Sequence, residues 1–230
     1  MKLINADCLQ ALKEFDDNSV DYVFTSPPYN IGRSNNKTKS DMKAKYEFFE
    51  DNNPNYFDWC VEIIDELLRV SKKYVIWNIQ PNYSNKKEVY RIMGHFADKL
   101  QQNIIWYKPD GTPSSIQHRV SNFVEYILFF TNNIYVEANK HFIKNLVSIN
   151  KISKNEKLKN HSAVMPQELS NYIIENFTQE NEIILDPFMG MGTTGVSCVK
   201  LNRNFIGIEL VKEYYDYATE RINNTQIGLF

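Results

Sequence analysis

The sequence predicts one α/β domain, a mostly parallel seven-stranded sheet with helices on both faces. Three observations carry this. Short apolar runs alternate with amphipathic stretches over most of the 230 residues. One apolar run ends in a glycine-rich turn, Gly190-Met191-Gly192, from which Thr193 onwards can open a helix. Another ends abruptly at Pro27-Pro28, which donate no ladder hydrogen bonds and hold the chain rigid. A chain of this length fills one such domain and is marginal for two.

Taken in order, the first strand spans residues 2–5 and leads through Asp7-Cys8 into a helix over 8–15. The second strand, 20–24, runs into the two prolines. The helix over 56–70 is the clearest, because Phe57, Cys60, Val61, Ile64, Leu67 and Leu68 recur at three and four residues and form one buried stripe. A strand over 73–79, a helix over 86–100 and strands over 102–107 and 123–131 follow. A helix over 167–177, a strand over 182–186, a helix over 193–201, a strand over 204–208 and a helix over 211–223 complete the alternation.

Two polar stretches break this rhythm. Residues 30–55 carry Arg33, Lys37, Lys39, Lys43 and Lys45, and residues 132–160 carry Lys140, Lys144, Lys151, Lys154, Lys157 and Lys159. Loops this long inside a compact domain are functional or disordered. Taken alone, each lysine run reads as a solvated surface. The chain therefore divides into a half over 1–131, a short insertion over 132–160 and a half over 161–230, all within one domain.

Composition narrows the function classes. A formal charge of −2 gives no global basic field, so any nucleic-acid binding rests on local patches. Cys8, Cys60 and Cys198 are scattered and the four histidines lack metal-ligand spacing, which argues against zinc and against a disulfide framework. No metal is expected. The polar start Met1 to Asp7 is unlike a secretory signal, and apolar runs such as Ile127–Phe130 are far short of the roughly 20 residues a spanning helix needs. The expectation is a cytoplasmic protein with no membrane partner.

The glycine loop admits two readings. Gly190, Gly192 and Gly195 fit a GxGxxG spacing, and Glu209 ends the next strand about 20 residues on, as in a dinucleotide site. Asp186-Pro187-Phe188, however, puts a carboxylate beside the loop, where it would repel a pyrophosphate and attract an ammonium. An amino-acid ammonium at Asp186 and a ribose diol at Glu209 describe S-adenosylmethionine. An ordinary tight turn explains this segment less completely. The proline turn, Ser26-Pro27-Pro28-Tyr29, stands beyond a strand's carboxyl end, where open α/β sheets bind ligands; in isolation it could equally be a plain loop.

The two motifs together resemble the amino-group DNA methyltransferases. Their catalytic motif, Asp/Ser/Asn-Pro-Pro-Tyr, stands here as Ser26-Pro27-Pro28-Tyr29, and their cofactor motif as Asp186-Pro187-Phe188-Met189-Gly190-Met191-Gly192-Thr193-Thr194. The catalytic motif comes first, which is similar to the circularly permuted β class. Asn5-Ala6-Asp7-Cys8, Ile105-Trp106-Tyr107-Lys108, Glu125-Tyr126-Ile127 and His161-Ser162-Ala163 through Pro166 resemble further family segments. Met191 departs from the usual Ser and Ser162 from the usual Pro, without loss of a charge or a required glycine.

The resemblance implies a Rossmann-like fold and S-adenosylmethionine as cofactor. It implies cofactor contacts at Asp7, Cys8, Asp186, Pro187, Phe188, Gly190, Gly192, Thr193, Thr194, Glu209, His161 and Ser162. Read circularly from residue 182, the first four strands end near Asp186, Glu209, Asp7 and Ser26. The family sets these against the cofactor's amino acid, its ribose, its adenine and the target base.

In catalysis, the Ser26 hydroxyl and Pro27 carbonyl would accept the two amino hydrogens of a flipped-out base, with Tyr29 stacking on it. Phe123 and Trp77 are candidates for the opposite wall, though each also reads as core. Asp186 could instead be structural, accepting amides of its own loop. Ser in the first catalytic position leans to the N4 amino group of cytosine over N6 of adenine. Double-stranded DNA is the implied partner, with Arg33, Lys37, Lys39, Lys140 and Lys144 on its phosphates. The family tendency adds a homodimer and room for a cognate restriction endonuclease. The rival functions are amino methylation of RNA or a glutamine side chain, a nicotinamide oxidoreductase, and a DNA-binding subunit without turnover.

Overall fold

The structure, a computed structural model, describes residues 1–30, 52–111, 120–133, 143–151 and 164–226. Its elements run β1 (Lys2–Asn5), α1 (Cys8–Leu12), β2 (Tyr22–Thr25), α2 (Tyr56–Val70), β3 (Val75–Ile79), α3 (Lys86–His95), β4 (Leu100–Tyr107) and β5 (Val124–Phe130). They continue as β6 (Leu146–Ser148), α4 (Gln167–Phe177), β7 (Ile183–Asp186), α5 (Thr193–Lys200), β8 (Asn204–Glu209) and α6 (Lys212–Asn223).

The described strands lie in one eight-stranded sheet of order β1-β8-β7-β2-β3-β5-β4-β6. Only β5 runs against its neighbours, β3 and β4; the other pairings are parallel. The strand order reverses its sense at β7, which pairs with β8 on one side and β2 on the other. Such a switch point opens a crevice at the strands' carboxyl ends, and Asp186 and Ser26 stand on its two lips.

Alternation along the central strands explains why the sheet is covered on both faces. Val23, Val75, Trp77, Leu128 and Leu185 join the core under α1, α2 and α3. Tyr22, Phe24, Ile76, Ile127, Phe129 and Ile184 face α4, α5 and α6. Side chains of successive strand residues point to opposite faces, so a strand buried on both sides reads as a continuous apolar run.

The helix expected over 8–15 ends at Leu12, and two further expectations differ more from the structure. The helix expected to reach residue 100 ends at His95, because Phe96 turns into the core and stacks at 5.5 Å on Phe130; its carbonyl then accepts from Lys99 and Leu100, and the chain enters β4. The expected seven strands are eight. Leu146–Ser148, within the stretch read as an insertion, forms an edge strand parallel to β4. Three residues with one buried side chain, Val147, give too brief an alternation to register as a strand.

Close approach governs the glycine-loop helix. A Cβ on Gly195 would lie 2.5 Å from Ile222 Cδ1 and 2.7 Å from the Phe205 ring, so α5 packs on α6 and β8 only without a side chain there. Gly195→Ala is expected to lower unfolding stability by about 1–3 kcal/mol through overpacking, read as a lower denaturation midpoint.

Candidate active site

Because β1, β8, β7, β2, β3 and β4 run the same way, their carboxyl ends share one edge of the sheet, and the antiparallel β5 begins there. That edge gathers Asp7, Glu209, Asp186, Ser26, Asn78, Lys108 and Glu125 from elements far apart in sequence.

The turn after β2 is held from several sides. Tyr56 Oη, at the start of α2, donates to the Pro28 carbonyl at 2.7 Å, and Asn85 Nδ2 donates to the Tyr29 carbonyl at 2.6 Å. Asn30 takes up a left-handed conformation (φ 54°), its side chain accepting from Asn53 N at 2.7 Å and donating to Asn53 O at 3.0 Å. Among the described residues, no donor reaches the Pro27 carbonyl.

Behind the turn lies a polar cluster. The Ser26 and Tyr29 hydroxyls are 2.9 Å apart, and Tyr29 donates to Glu125 Oε2 at 2.7 Å. Asn78 Nδ2 donates to Tyr29 Oη at 2.8 Å and to Glu125 Oε2 at 2.9 Å, and lies 3.4 Å from Ser26 Oγ. Lys108 Nζ closes the cluster on Glu125 Oε1 at 2.9 Å, with both side chains almost wholly buried. Burial and the nearby Glu125 carboxylate push the Tyr29 phenol well above its usual range, so it stays protonated and fixed by its hydroxyl.

A buried pair of this kind is costly to break on one side. Lys108→Met is expected to destabilise the protein by about 3–5 kcal/mol, and Lys108→Met with Glu125→Leu to recover part of the loss; chemical denaturation of both variants checks this.

Asp186, at the end of β7, is buried, and both its oxygens are engaged. Oδ1 accepts from Thr25 Oγ1 at 2.7 Å and from Phe188 N at 3.1 Å, while Oδ2 accepts from Thr194 Oγ1 at 2.7 Å. Burial raises its carboxyl to about 6 despite these donors. Glu209 ties the glycine loop to β8 by accepting from Gly190 N and Val211 N, both at 2.8 Å. Burial also raises its carboxyl. Gly190 and Gly192 have φ of +52° and +78°, and Gly192 leads directly into α5.

Asp7 caps α1 by accepting from Gln10 N at 3.1 Å. Cys8 sits in the core beside it, its thiol pushed up to about 12 by burial and by the Asp7 charge, a poor state for a nucleophile. Pro187 and Thr193 are buried, and Phe188 is half-buried with its ring 5.6 Å from Trp59 and 6.4 Å from Trp77. Trp77 has no exposed surface and cannot wall a base pocket. Phe123 lies half-buried against Gly111. Lys144 is exposed just before β6. Arg33, Lys37, Lys39, Lys140, His161 and Ser162 lie outside the described residues.

Four contributors had no site role assigned from sequence, although Lys108 and Glu125 stand in segments that resemble the family. Asn78 and Glu125 are lone polar residues inside otherwise apolar strands, a signal in itself, since buried polar groups need partners. Lys108 follows β4 without such a cue. Arg221 on α6 donates to the Met191 carbonyl at 2.8 Å and to Gln167 Oε1 at 3.0 Å, bracing the glycine loop from behind. Burial lowers its guanidinium.

A family model described as DNA methylase matches residues 20–220. This chain belongs to the DNA methylase family. Within that family it is 30% identical to the type II methyltransferase M.BglII of Bacillus subtilis, over 94% of this chain and 67% of the relative. It is also 30% identical to the type II methyltransferase M2.LlaDCHI of Lactococcus lactis subsp. cremoris, over 96% of this chain and 88% of the relative. Among solved structures, the PvuII DNA methyltransferase (cytosine-N4-specific) superposes with a TM-score of 0.78 at 21% identity, covering 96% of this chain and 86% of that one; at this identity the likeness is one of fold. The M1.HpyAVI–SAM complex has a TM-score of 0.67 at 26% identity, covering 96% of this methylase and 98% of that chain. Among the described residues, no helix is long and apolar enough to cross a membrane, and no cluster of three metal-ligating side chains occurs.

Proposed function

We propose that this methylase transfers a methyl group from S-adenosylmethionine to the exocyclic N4 amino group of a cytosine flipped out of double-stranded DNA. The observation that carries the reading is the pair of acceptors, Ser26 Oγ and the Pro27 carbonyl, held on a rigid turn at the switch point beside the glycine loop. The choice of cytosine rests on Ser in the first motif position.

The residues present fit the cofactor. A Cβ on Gly190 would meet nothing closer than the Phe188 carbonyl at 3.9 Å, so the loop backbone borders open space. Around that space stand carboxylates, not cations: Asp186 for an ammonium, Glu209 for a ribose diol and Asp7 beside the adenine. Phe188, Thr193, Thr194 and the turn at Cys8 complete the cradle, and the family resemblance assigns His161 and Ser162 to the methionine end. The bound cofactor supplies an electrophilic methyl on a sulfonium.

An exocyclic amino nitrogen is a poor nucleophile because its lone pair is delocalised into the ring. Ser26 and Pro27, accepting its two hydrogens, draw it toward tetrahedral geometry and free that pair. Tyr29 offers a face on which the extruded base stacks, and positioning the nitrogen in line with the methyl carries much of the rate. Arg33, Lys37, Lys39, Lys140 and Lys144, from the sequence stretches 30–55 and 132–160, position the duplex through its phosphates. A second copy of the chain extends this small recognition surface, a restriction endonuclease of the same specificity is its natural counterpart, and the cytoplasm is where its DNA lies.

The test is incubation with unmodified genomic DNA and methyl-labelled S-adenosylmethionine, followed by nucleoside digestion and mass analysis. N4-methylcytosine is expected. N6-methyladenine would keep the reaction and overturn the base; label in RNA or protein alone would overturn DNA as substrate.

A further inference from the structure

We infer that Glu125, locked by Lys108, acts through Tyr29 to fix the Ser26 hydroxyl as a hydrogen-bond acceptor toward the substrate amine. The inference rests on the reaction proposed above and assigns positioning roles to residues 108 and 125.

Hydrogen-bond direction carries the argument. A serine hydroxyl both donates and accepts, and it rotates freely among its wells. The distance between Ser26 and Tyr29 does not by itself say which one donates. Glu125 decides. Its carboxylate, facing the Lys108 ammonium at 2.9 Å, offers acceptors only, so the single Tyr29 proton goes to Oε2 at 2.7 Å. With that proton committed, Tyr29 can only accept from Ser26, and Ser26 must donate to it. One lone pair of Ser26 faces Asn78 Nδ2 at 3.4 Å, and the other is left for the cleft.

Asn78 enforces the same direction. Its Nδ2 donates to both Tyr29 Oη and Glu125 Oε2, while its Oδ1 is buried without a partner among the described residues. Turning the amide over would set Oδ1 against the Glu125 carboxylate, a repulsive contact, so the amide stays as it is. Three groups thus agree on one polarity, ending at Ser26.

That polarity matters for the chemistry. A Ser26 hydroxyl pointing into the cleft would donate to the amino nitrogen and engage the lone pair that has to attack the methyl. Pointing inward, it can only accept an amino hydrogen. A serine therefore performs here what a carboxylate in the same position does without assistance, since a carboxylate has no proton to misdirect.

The test is a double-mutant cycle read by single-turnover methyl transfer. Glu125→Gln, whose amide can donate to Tyr29 and reverse the chain, is expected to slow transfer by about 10- to 100-fold, with cofactor affinity within about twofold of the parent. Tyr29→Phe, which keeps a stacking ring and removes the link, is expected to do the same. In a Ser26→Ala background, where there is no hydroxyl to orient, Glu125→Gln is expected to cost less than about twofold further. An equal cost in both backgrounds, unchanged rates in Glu125→Gln and Tyr29→Phe, or a loss of cofactor affinity matching the loss of rate would each overturn the inference. Failure of the parent protein to methylate any amino group would instead overturn the reaction on which it rests.

Discussion

Ser26→Ala is expected to lower kcat by about 100-fold while leaving S-adenosylmethionine affinity within about twofold. The expectation follows from what the hydroxyl touches. Among the described residues its partners are the Tyr29 hydroxyl at 2.9 Å and Asn78 Nδ2 at 3.4 Å, and it makes no hydrogen bond to the glycine loop or to Asp186 and Glu209. Its removal leaves Tyr29 anchored on Glu125 and Asn78, so the turn keeps its shape and the Pro27 carbonyl survives as the second acceptor. In the proposed reaction, what goes is one of two groups drawing the amine toward tetrahedral geometry, an interaction made more strongly in the transition state than with the bound base. Calorimetry of cofactor binding beside steady-state kinetics separates the two quantities, and a large loss of affinity would remove Ser26 from its assigned role.

Asp186→Ala is expected to act more broadly, weakening S-adenosylmethionine binding by at least about tenfold and lowering unfolding stability by about 3 kcal/mol. Two hydroxyls and one amide converge on this carboxylate in a buried site, and alanine would leave all three donors without their acceptor. Asp186→Asn separates the two effects, because its carbonyl still accepts from part of the set while the charge is gone. Stability should then largely recover and cofactor affinity should not. Affinity restored along with stability would make Asp186 purely structural.

The raised carboxyl adds a pH signature to this pair. Asp186 titrates at about 6 in the fold, above the 3.8 of a free aspartate. The folded chain therefore takes up this proton before the unfolded chain does. The contribution of this group to stability is fully present below about 4 and is lost as pH rises through about 6. Cofactor binding runs the other way, since an ammonium is attracted only by the ionised form. Affinity is expected to fall as pH drops from 7 to 5 in the parent protein. The Asp186→Asn variant should retain only the share of that fall due to Glu209, also raised by burial; identical profiles would remove Asp186 from the ammonium contact.

The legible parts of the molecule were those whose signals are local. The apolar stripe of α2 placed that helix at 56–70, and the alternation of elements placed α4 at 167–177, where they stand. Glycines and prolines marked where β7 and β2 end, so the positions of Asp186 and Ser26 at one sheet edge could be read from spacing and strand order. The rest depends on contacts between distant segments. Ser26 meets Glu125 through Tyr29, and Asp186 meets Thr25 across 161 positions, neither pairing leaving a trace in local composition. From sequence Asp186 reads mainly as a cofactor contact, whereas in the fold it also fastens β2 to the glycine loop. β6 escaped notice because an edge strand with a single buried residue hardly differs from a loop.

The strand order also constrains how the chain reaches this shape as it leaves the ribosome. β1 precedes the other described strands along the chain and, among the described residues, pairs with β8 alone, Lys2 lying opposite Ile206 and Asn5 opposite Glu209. β2, made next, is flanked by β3 and β7, so its bond to β7 waits for residues 183–186. The half bearing the proline turn thus waits for β7 and β8 with β1 unpaired and one edge of β2 bare. Pairings so distant along the chain close slowly, and an unpaired edge invites association with other chains in the interval. The turn beyond β2 gains the neighbour at its cofactor side only when β7 arrives, so a nascent chain cut short before residue 183 has Ser26 but no switch point for it to face.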